Sequence, residues 1–375
     1  MSEKSHSVAE AAYSFLSHAR FARAFSLVVL ATVLGTHLLR SVVGTAGLTA
    51  IIATELVLAA LMLLARRRVV KWNSFLPISL ALFLAWCSIS YFWSYYPKAT
   101  LVGIASQLSF AALALAVSAT RDTIQLIRAV GDVLRVFLGA SLVLEIIAGV
   151  LIDGPIPFLG IKGNLVNGEG IQGIFGSRNA FMLVALIALV TFIIEWRTMS
   201  VTREVAGWSS VGAALCVLLA ASPVGFVTAL VVALIAALLA ALKKMEASVR
   251  RGTEIAVLAI AGLGLIIAWA LRGRVLEALS SSEVLQYRLS LWSEELRLAA
   301  MKPLEGWGWV GLWPRKTQPF TVMNSGSGDV HYSGLNIFLD TWLQVGIVGL
   351  ALLLILLGFA YVRSWKLATS KKSEL

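Results

Sequence analysis

The residues best suited to chemistry lie in a polar segment near the end of the chain. Arg288 and Trp292 are four residues apart where apolar residues have helical spacing, so the two share one face of a helix. A guanidinium group offers a planar set of N–H donors that matches phosphate oxygens, which predicts a phosphate ligand for Arg288. A surface ion pair with Glu294 or Glu295 is the alternative for the same arginine.

Two further features follow in the same part of the chain. His331 closes the polar segment, and a histidine there can take a proton from a hydroxyl group near neutral pH. Asn336, Asp340 and Gln344 recur every four residues and form one polar stripe on an otherwise apolar helix. This stripe either lines a polar cavity or forms hydrogen bonds between helices.

Other ionisable or polar residues belong to apolar segments earlier in the chain. Arg178 and Asn179 occur in Gly-Ser-Arg-Asn, where an apolar segment begins. Glu55 and Glu145 lie inside two other apolar segments, and His37 lies near the end of a third. Ionisable groups inside a membrane are usually functional, so these residues are candidates as well. The sequence identifies no partner for any of them.

Composition makes lipid the main solvent of this chain. Of its 375 residues, 59% are hydrophobic and only 14% are charged, whereas a soluble domain has about 25% charged residues. The net charge of +11 lies in short clusters between apolar segments, a pattern that indicates membrane orientation and no nucleic-acid partner. No P-loop, HExxH or CxxC pattern occurs, so we expect neither a metal nor a nucleotide cofactor.

Ten apolar segments must position these residues, each near the length of about 20 residues that a helix needs to cross the hydrocarbon core. They are 24–41, 47–65, 75–93, 99–118, 132–152, 178–195, 204–221, 223–242, 254–271 and 343–362. The stretch 204–242 is too long for one crossing, and Ser222-Pro223 at its middle predicts a turn between two helices. One long, kinked helix is the alternative. The sequence therefore predicts an all-α polytopic membrane protein with about ten transmembrane helices.

Positive charge predicts the orientation of these spans. Lys and Arg residues cluster in alternate connections and in the C-terminal tail, at 66–71, 121–128, 197–203, 243–251 and 363–372. The rule that positive loops stay inside then places both termini in the cytoplasm.

This orientation divides the chain into four predicted parts. They are a cytoplasmic tail (1–23), a bundle of nine spans (24–271), a large extracytoplasmic loop (272–342), and the last span with its tail (343–375). Within the loop, apolar spacing predicts an amphipathic helix over 283–301, with Ser282 as its cap and Pro303 beyond its end.

The order of several short motifs resembles the O-antigen ligase and polymerase superfamily of bacterial membrane glycosyltransferases. The motifs are Gly173-Ile-Phe-Gly-Ser-Arg-Asn179, Ser222, Arg288-x-x-x-Trp292, Pro303-Leu-x-Gly-x-Gly308, and Asn336-x-x-Leu-Asp340 continuing to Gly346-Ile-Val-Gly349. They cover roughly residues 170–362. One position departs from the pattern, because the family often has histidine directly before the asparagine, where this chain has Leu335, and His331 lies five residues before Asn336.

The resemblance implies transfer of a glycan from an undecaprenyl-diphosphate carrier to an acceptor hydroxyl group on a glycan or glycolipid at the outer leaflet. It implies that Arg288 and Arg178 bind the diphosphate and that His331 activates the acceptor. It adds Asn179, Trp292, Asn336 and Asp340 as substrate-binding residues, and it implies no metal or nucleotide.

Two other functions fit the same sequence. A polysaccharide polymerase uses the same donor and differs only in its acceptor. A transporter or flippase of lipid-linked glycan would use Glu55 and Glu145 for proton coupling, but it predicts inverted repeats that the sequence does not show.

Overall fold

A computed structural model describes residues 10–11, 13–67, 70, 76–165, 168–271, 273, 283–314, 317–324 and 332–369. Helices account for most of this part of the chain. In order they are α1 (Ala19–Leu34), α2 (Thr36–Ala65), α3 (Ile78–Ile89), α4 (Pro97–Thr120), α5 (Thr123–Ile146), α6 (Arg178–Thr198), α7 (Arg203–Leu219), α8 (Pro223–Lys244), α9 (Ala247–Ala270), α10 (Glu283–Met301), α11 (Phe320–Asn324) and α12 (Ile337–Thr369).

Six of these helices are long and apolar enough to cross a membrane: α2, α4, α5 with its extension to Leu151, α6, α8 and α12. The described part of the chain is therefore all-α, with several helices that are suited to span a membrane. Six of the ten predicted spans lie within these helices. The predicted amphipathic helix over 283–301 coincides with the described part of α10, which ends at Met301, and its predicted cap Ser282 lies outside the described residues.

The chain forms two compact units. Unit 1 contains residues 1–75 and 109–238 with the last two residues, and unit 2 contains residues 76–108 and 239–373. Arg178 and Asn179 belong to unit 1, whereas Arg288, Trp292, Asn336 and Asp340 belong to unit 2.

Unit 1 begins with a hairpin whose turn is at Gly44. This glycine interrupts α2 with φ 71° and ψ 179°, a conformation that is open almost only to glycine. Thr32 Oγ1 donates to Glu55 Oε1 at 2.5 Å, and Ala22 packs in one cluster with Met62, so the segments on the two sides of Gly44 run antiparallel. The first helix ends earlier than the sequence predicted, because Gly35 separates α1 from α2.

The main core of unit 1 surrounds α6. Buried side chains of α6, including Phe181 and Phe192, pack with α5, α7 and the segment before Arg178. Near the C-terminal end of α6, Arg135 forms an ion pair with the fully buried Glu195. The chain breaks at Ala220–Ser222, where the proline predicted a turn, so α7 and α8 are separate helices.

Unit 2 is organised around an interruption of α12. Val345 (φ −129°) and Gly346 (φ 70°, ψ −176°) leave the helical conformation, so residues 337–344 form a short helix ahead of the long one. The segment 303–308 lies directly against this break. Ile347 N donates to Pro303 O at 2.8 Å, and Gly308 N donates to Gln344 O at 2.8 Å. The interrupted backbone is thus paired with the loop that precedes the helix, as a membrane interior requires.

Indole groups complete this arrangement. Trp86 Nε1 donates to Val345 O at 2.8 Å, and Trp93 Nε1 donates to Glu305 O at 2.9 Å. Trp313 is only 2% exposed and packs on Phe320 with a ring separation of 5.3 Å. These tryptophans fix the loop to the helices by their N–H groups as well as by apolar contact.

Candidate functional site

In unit 1, the segment that leads to Arg178 is held by buried polar side chains of α5. Glu145 Oε1 accepts hydrogen bonds from Gln172 N at 3.1 Å and Gly173 N at 2.9 Å, and Ser141 Oγ accepts from Ile174 N at 3.3 Å. Glu145 is 1% exposed. A carboxylate with two backbone donors behaves here as an acceptor that fixes a loop, which explains its position inside an apolar helix.

His37 contacts the same segment. Its Nδ1 is 3.1 Å from Ile174 O, and its ring lies against the Cα of Gly176, where a Cβ atom would overlap it. Gly176 also has φ 75°, so both the ring and the backbone require glycine at this position. The Gly173-Ile-Phe-Gly part of the sequence motif is therefore a tight turn built between α5 and His37.

This tight turn is followed directly by Arg178 and Asn179, the first two residues of α6. Ser177 caps the helix, because its Oγ accepts from Ala180 N at 3.2 Å. Arg178 is exposed, its Cδ lies close to Gly170, and it forms no ion pair with any residue that the structure describes. A guanidinium group at the positive end of a 21-residue helix provides two sources of attraction for an anion.

Asn179 is tied to the start of α8. Ser222 Oγ donates to Asn179 Oδ1 at 2.7 Å and accepts from Gly225 N at 3.1 Å. Below this pair, α6 and α8 enclose a cleft of about 220 Å³ whose wall is mostly apolar, with Met182, Leu186 and Thr228 among its residues. Ser222, the second motif of the series, therefore contacts Asn179, the last residue of the first motif.

In unit 2, the polar stripe of α12 binds the loop instead of another helix. Gln344 Oε1 accepts from Val310 N at 2.8 Å and Gly311 N at 2.9 Å, and its Nε2 donates to Asp340 Oδ1 at 2.9 Å. Trp313 Nε1 donates to the same oxygen at 2.7 Å. Asp340 is half-buried, and neutral donors fix its orientation.

Asn336 has a structural role in this unit. Its Oδ1 accepts from Phe338 N at 3.1 Å and Leu339 N at 3.4 Å, so it caps the short helix 337–344. Leu335, at the position where the resemblance suggests histidine, has φ 56° and an exposed side chain. His331 lies outside the described residues.

A second carboxyl group lies behind Asp340. Glu295 of α10 is 0% exposed, and neither of its oxygens has a hydrogen-bond partner among the described residues. Burial and the neighbouring carboxyl group of Asp340 raise the pKa of Glu295 to about 8. Gly334 separates the two acids, since its N–H donates to Asp340 and its Cα lies against the Glu295 carboxyl group. Trp292 Nε1 donates to Gly334 O at 2.9 Å.

Arg288 is not paired with either of the two acids that the sequence offered as its partners. Of its two candidate partners, Glu294 is bound to Arg297 by hydrogen bonds of 2.6 and 2.9 Å, and Glu295 accepts none from the described chain. Arg288 forms no ion pair in the described ranges and is half-buried. It lies four residues before Trp292 and seven before Glu295, so it occupies the face of α10 that carries both. The alternative of a surface ion pair is thus not what the structure shows.

Sequence reasoning missed the roles of Glu145, His37 and Glu295. A buried carboxylate that accepts backbone N–H groups from a segment 27 residues away has no local pattern. Glu295 follows Glu294 directly, and two adjacent acids on an amphipathic helix point in different directions. The apolar residues Leu291 and Leu298 around Glu295 were the one available signal that it faces inward.

Comparison with known proteins gives no assignment: no protein-family profile, no curated protein and no solved structure matches the chain.

Proposed function

We propose that this protein is a membrane glycosyltransferase that moves a glycan from an undecaprenyl-diphosphate carrier to an acceptor hydroxyl group, in the manner of an O-antigen ligase. The observation that carries the proposal is Arg288. It is a half-buried arginine without a described ion pair, on one helical face with Trp292 and Glu295. An arginine that no described acid neutralises suits a ligand with negative charge.

The chemistry requires such cations. When the acceptor oxygen attacks the anomeric carbon, the bond from that carbon to the diphosphate oxygen breaks, and the diphosphate leaves with the electron pair. Cationic side chains that are already in place interact more strongly with the departing diphosphate than with the diphosphate of the bound donor, because negative charge increases as the bond breaks. Arg288, in unit 2, is the arginine to which we assign this role.

We further propose that the chain has ten spans, with both termini in the cytoplasm and the reaction outside. Contacts within each unit support this orientation. Arg66 and Arg128 of unit 1 donate to Thr120 O and Ser200 O, which joins ends that the charge pattern assigns to the inside. In unit 2, Arg250 donates to Thr369 O at 3.0 Å, which again joins two segments assigned to the inside.

Cysteine labelling tests the orientation. Single cysteines at Lys162 and Lys243, in a protein without Cys87 and Cys216, are exposed to a thiol reagent that does not cross membranes. We expect labelling of intact spheroplasts at position 162 and not at position 243. The reverse pattern would overturn the assignment of sides.

Transfer by purified protein in lipid nanodiscs tests the function, with an undecaprenyl-diphosphate-linked glycan as donor. We expect Arg288→Ala to reduce the transfer rate by about 10²–10³-fold, the usual effect of losing one charge-stabilising donor. Arg297→Ala is the matched control, because this arginine is on the same helix but is exposed and bound to Glu294. A correctly inserted Arg288→Ala protein with the parental rate would refute the role of Arg288.

The acceptor distinguishes ligase from polymerase. A deletion strain that accumulates carrier-linked polymer indicates a ligase, and one that retains single units but lacks long chains indicates a polymerase. Movement of donor across vesicles without formation of a glycosidic bond would instead favour a flippase.

A further inference from the structure

We propose that Asp340 is the general base that takes the proton from the acceptor hydroxyl group, and that Glu295, held behind it, acts as its positioning residue. This inference rests on the proposed transfer reaction and names the group that activates its acceptor. In this chain, Leu335 occupies the position where the resemblance suggests a histidine.

The surroundings of Asp340 fit a base. Its carboxylate is half-buried and is oriented by three neutral N–H groups, those of Trp313, Gln344 and Gly334. No arginine or lysine of the described chain forms an ion pair with it. A carboxylate that is oriented by neutral donors stays a better proton acceptor than one that is neutralised by a cation. Donor groups that fix a rotamer are the usual support of a reactive side chain.

The burial and the contacts of Glu295 fit the role of a positioning residue. It is fully buried, has no described hydrogen-bond partner, and contacts Gly334, the residue that donates to Asp340. Its pKa, raised to about 8 by burial and then by Asp340, means that it carries a proton at neutral pH. Two acids that differ in environment can divide their roles, one ionised and one protonated. A purely structural contact would be served as well by an apolar side chain, without the cost of burying an acid.

Asp340 of α12 and Glu295 of α10 lie on two sides of Gly334. Tyr287 of α10 and Tyr96, ahead of α4, pack against the apolar cluster that contains Leu291 and Leu298, and Arg288 shares a helical face with Glu295. Lys302 Nζ lies over the rings of Tyr95 and Trp307, at 4.1 and 5.3 Å from their centroids. Among these groups, Asp340 is the one whose charge acts on Glu295.

The proposed step balances without any further reactant. The acceptor O–H bond breaks and its proton moves to Asp340, while the acceptor oxygen forms the new bond to the anomeric carbon. The bond from that carbon to the diphosphate oxygen breaks, and the diphosphate leaves with the electron pair. The proton then returns from Asp340 to solvent or to the departing diphosphate.

Rates measured from pH 5 to 10 test the assignment. We expect Asp340→Asn to lower kcat by about 10²–10⁴-fold with little change in the KM for the donor, as for loss of a general base. We expect His331→Ala to lower it by less than about tenfold. In the parental protein, the rate should fall above about pH 8, because ionised Glu295 brings a second negative charge against Gly334 and Asp340. Glu295→Gln should lose this decline, so that its rate above pH 8 stays level with its own rate at pH 7.

Glu294→Gln is the matched control, since Glu294 is the adjacent acid but is bound to Arg297. It should keep the parental pH profile. The proposal is overturned if Asp340→Asn retains the parental kcat, if His331→Ala causes the larger loss, or if Glu295→Gln keeps the alkaline decline. Gel filtration and tryptophan fluorescence identify variants that fail to fold, for which Asp340→Glu then gives the second comparison, with a partial rate expected.

Infrared titration separates failure of this inference from failure of the proposed function. A protonated carboxyl band that persists to about pH 8 in the parental protein and is absent in Glu295→Gln supports the Glu295–Asp340 pair without any substrate. If this band is present but no glycan is transferred from any carrier-linked donor, the proposed function fails and the base assignment fails with it. If transfer occurs but the band is absent, only the Glu295–Asp340 pair is wrong.

Discussion

Replacing Gly346 by alanine should destabilise unit 2 and detach the loop at 303–308 from the break in α12. Gly346 has φ 70° and ψ −176°, which costs another residue about 1–3 kcal/mol. In addition, its new Cβ atom would overlap the backbone carbonyl oxygen of Leu304, far inside the 3.0 Å that such atoms keep. A flexible side chain could move away from the Cβ atom, but this obstacle is backbone.

The loop must therefore move, and hydrogen bonds are lost when it does. Ile347 N loses Pro303 O, and Gly308 N loses Gln344 O, each worth about 1 kcal/mol. Strain and lost bonds together predict a destabilisation of about 3–5 kcal/mol. The same movement should impair glycan transfer, because Gln344 also orients Asp340.

Thermal unfolding in detergent and limited proteolysis of the loop measure this effect. Gly358→Ala is the matched control, because it lies in the same helix with nothing within 4 Å of the new Cβ atom. It should leave stability unchanged or raise it slightly, since alanine favours a helix by about 0.5–1 kcal/mol over glycine. A Gly346→Ala protein as stable and as protease-resistant as the control would refute the pairing of loop and break.

Three other expectations follow from buried polar groups. The folded protein holds a proton on Glu295 to about pH 8, whereas the unfolded chain releases it near the usual pKa of 4.5. As the pH rises from 4.5 to about 8, the free energy of unfolding of the parental protein should therefore decrease. The melting temperature of Glu295→Gln should decrease less over the same range. Glu145→Ala should leave two backbone N–H groups without an acceptor at about 1–3 kcal/mol each, and increase cleavage of the turn before α6. Glu55→Ala is the control, because it removes another buried acid, in the hairpin at Gly44. It should leave cleavage of the turn before α6 unchanged. Ser222→Ala should weaken the hold on Asn179 and reduce stability by about 1 kcal/mol, measured by thermal unfolding.

Local patterns predicted the elements well where the physics is local. A helix was predicted over 283–301 and the described helix ends at the same Met301, because Pro303 stops it there. The turn before α8 followed from Pro223 in the same way. These features depend on a few neighbouring residues.

The interruption at Gly346 could not be predicted in this way. It lies inside a continuous apolar segment that is long enough to be one span, and glycine is common in such spans. What permits the break is a partner backbone at 303–308, some 40 residues earlier. For the candidate site, the side chains of Arg288 and Asp340 were predicted, whereas Glu295 was only one of two possible partners for Arg288, because its burial depends on tertiary packing.

The pairing of the 303–308 segment with the break in α12 has a consequence for how the protein is made. When α12 enters the bilayer, the backbone groups at its break must already have their partners, or remain unpaired in lipid at several kcal/mol each. The last helix therefore cannot be inserted as an independent unit; the preceding loop has to reach it during insertion. For the same reason, substitutions within Leu304–Gly306 and at Gly346 should occur together in related sequences. Replacement of this loop by the loop of another protein should give a folded product only when the residue at position 346 is replaced with it.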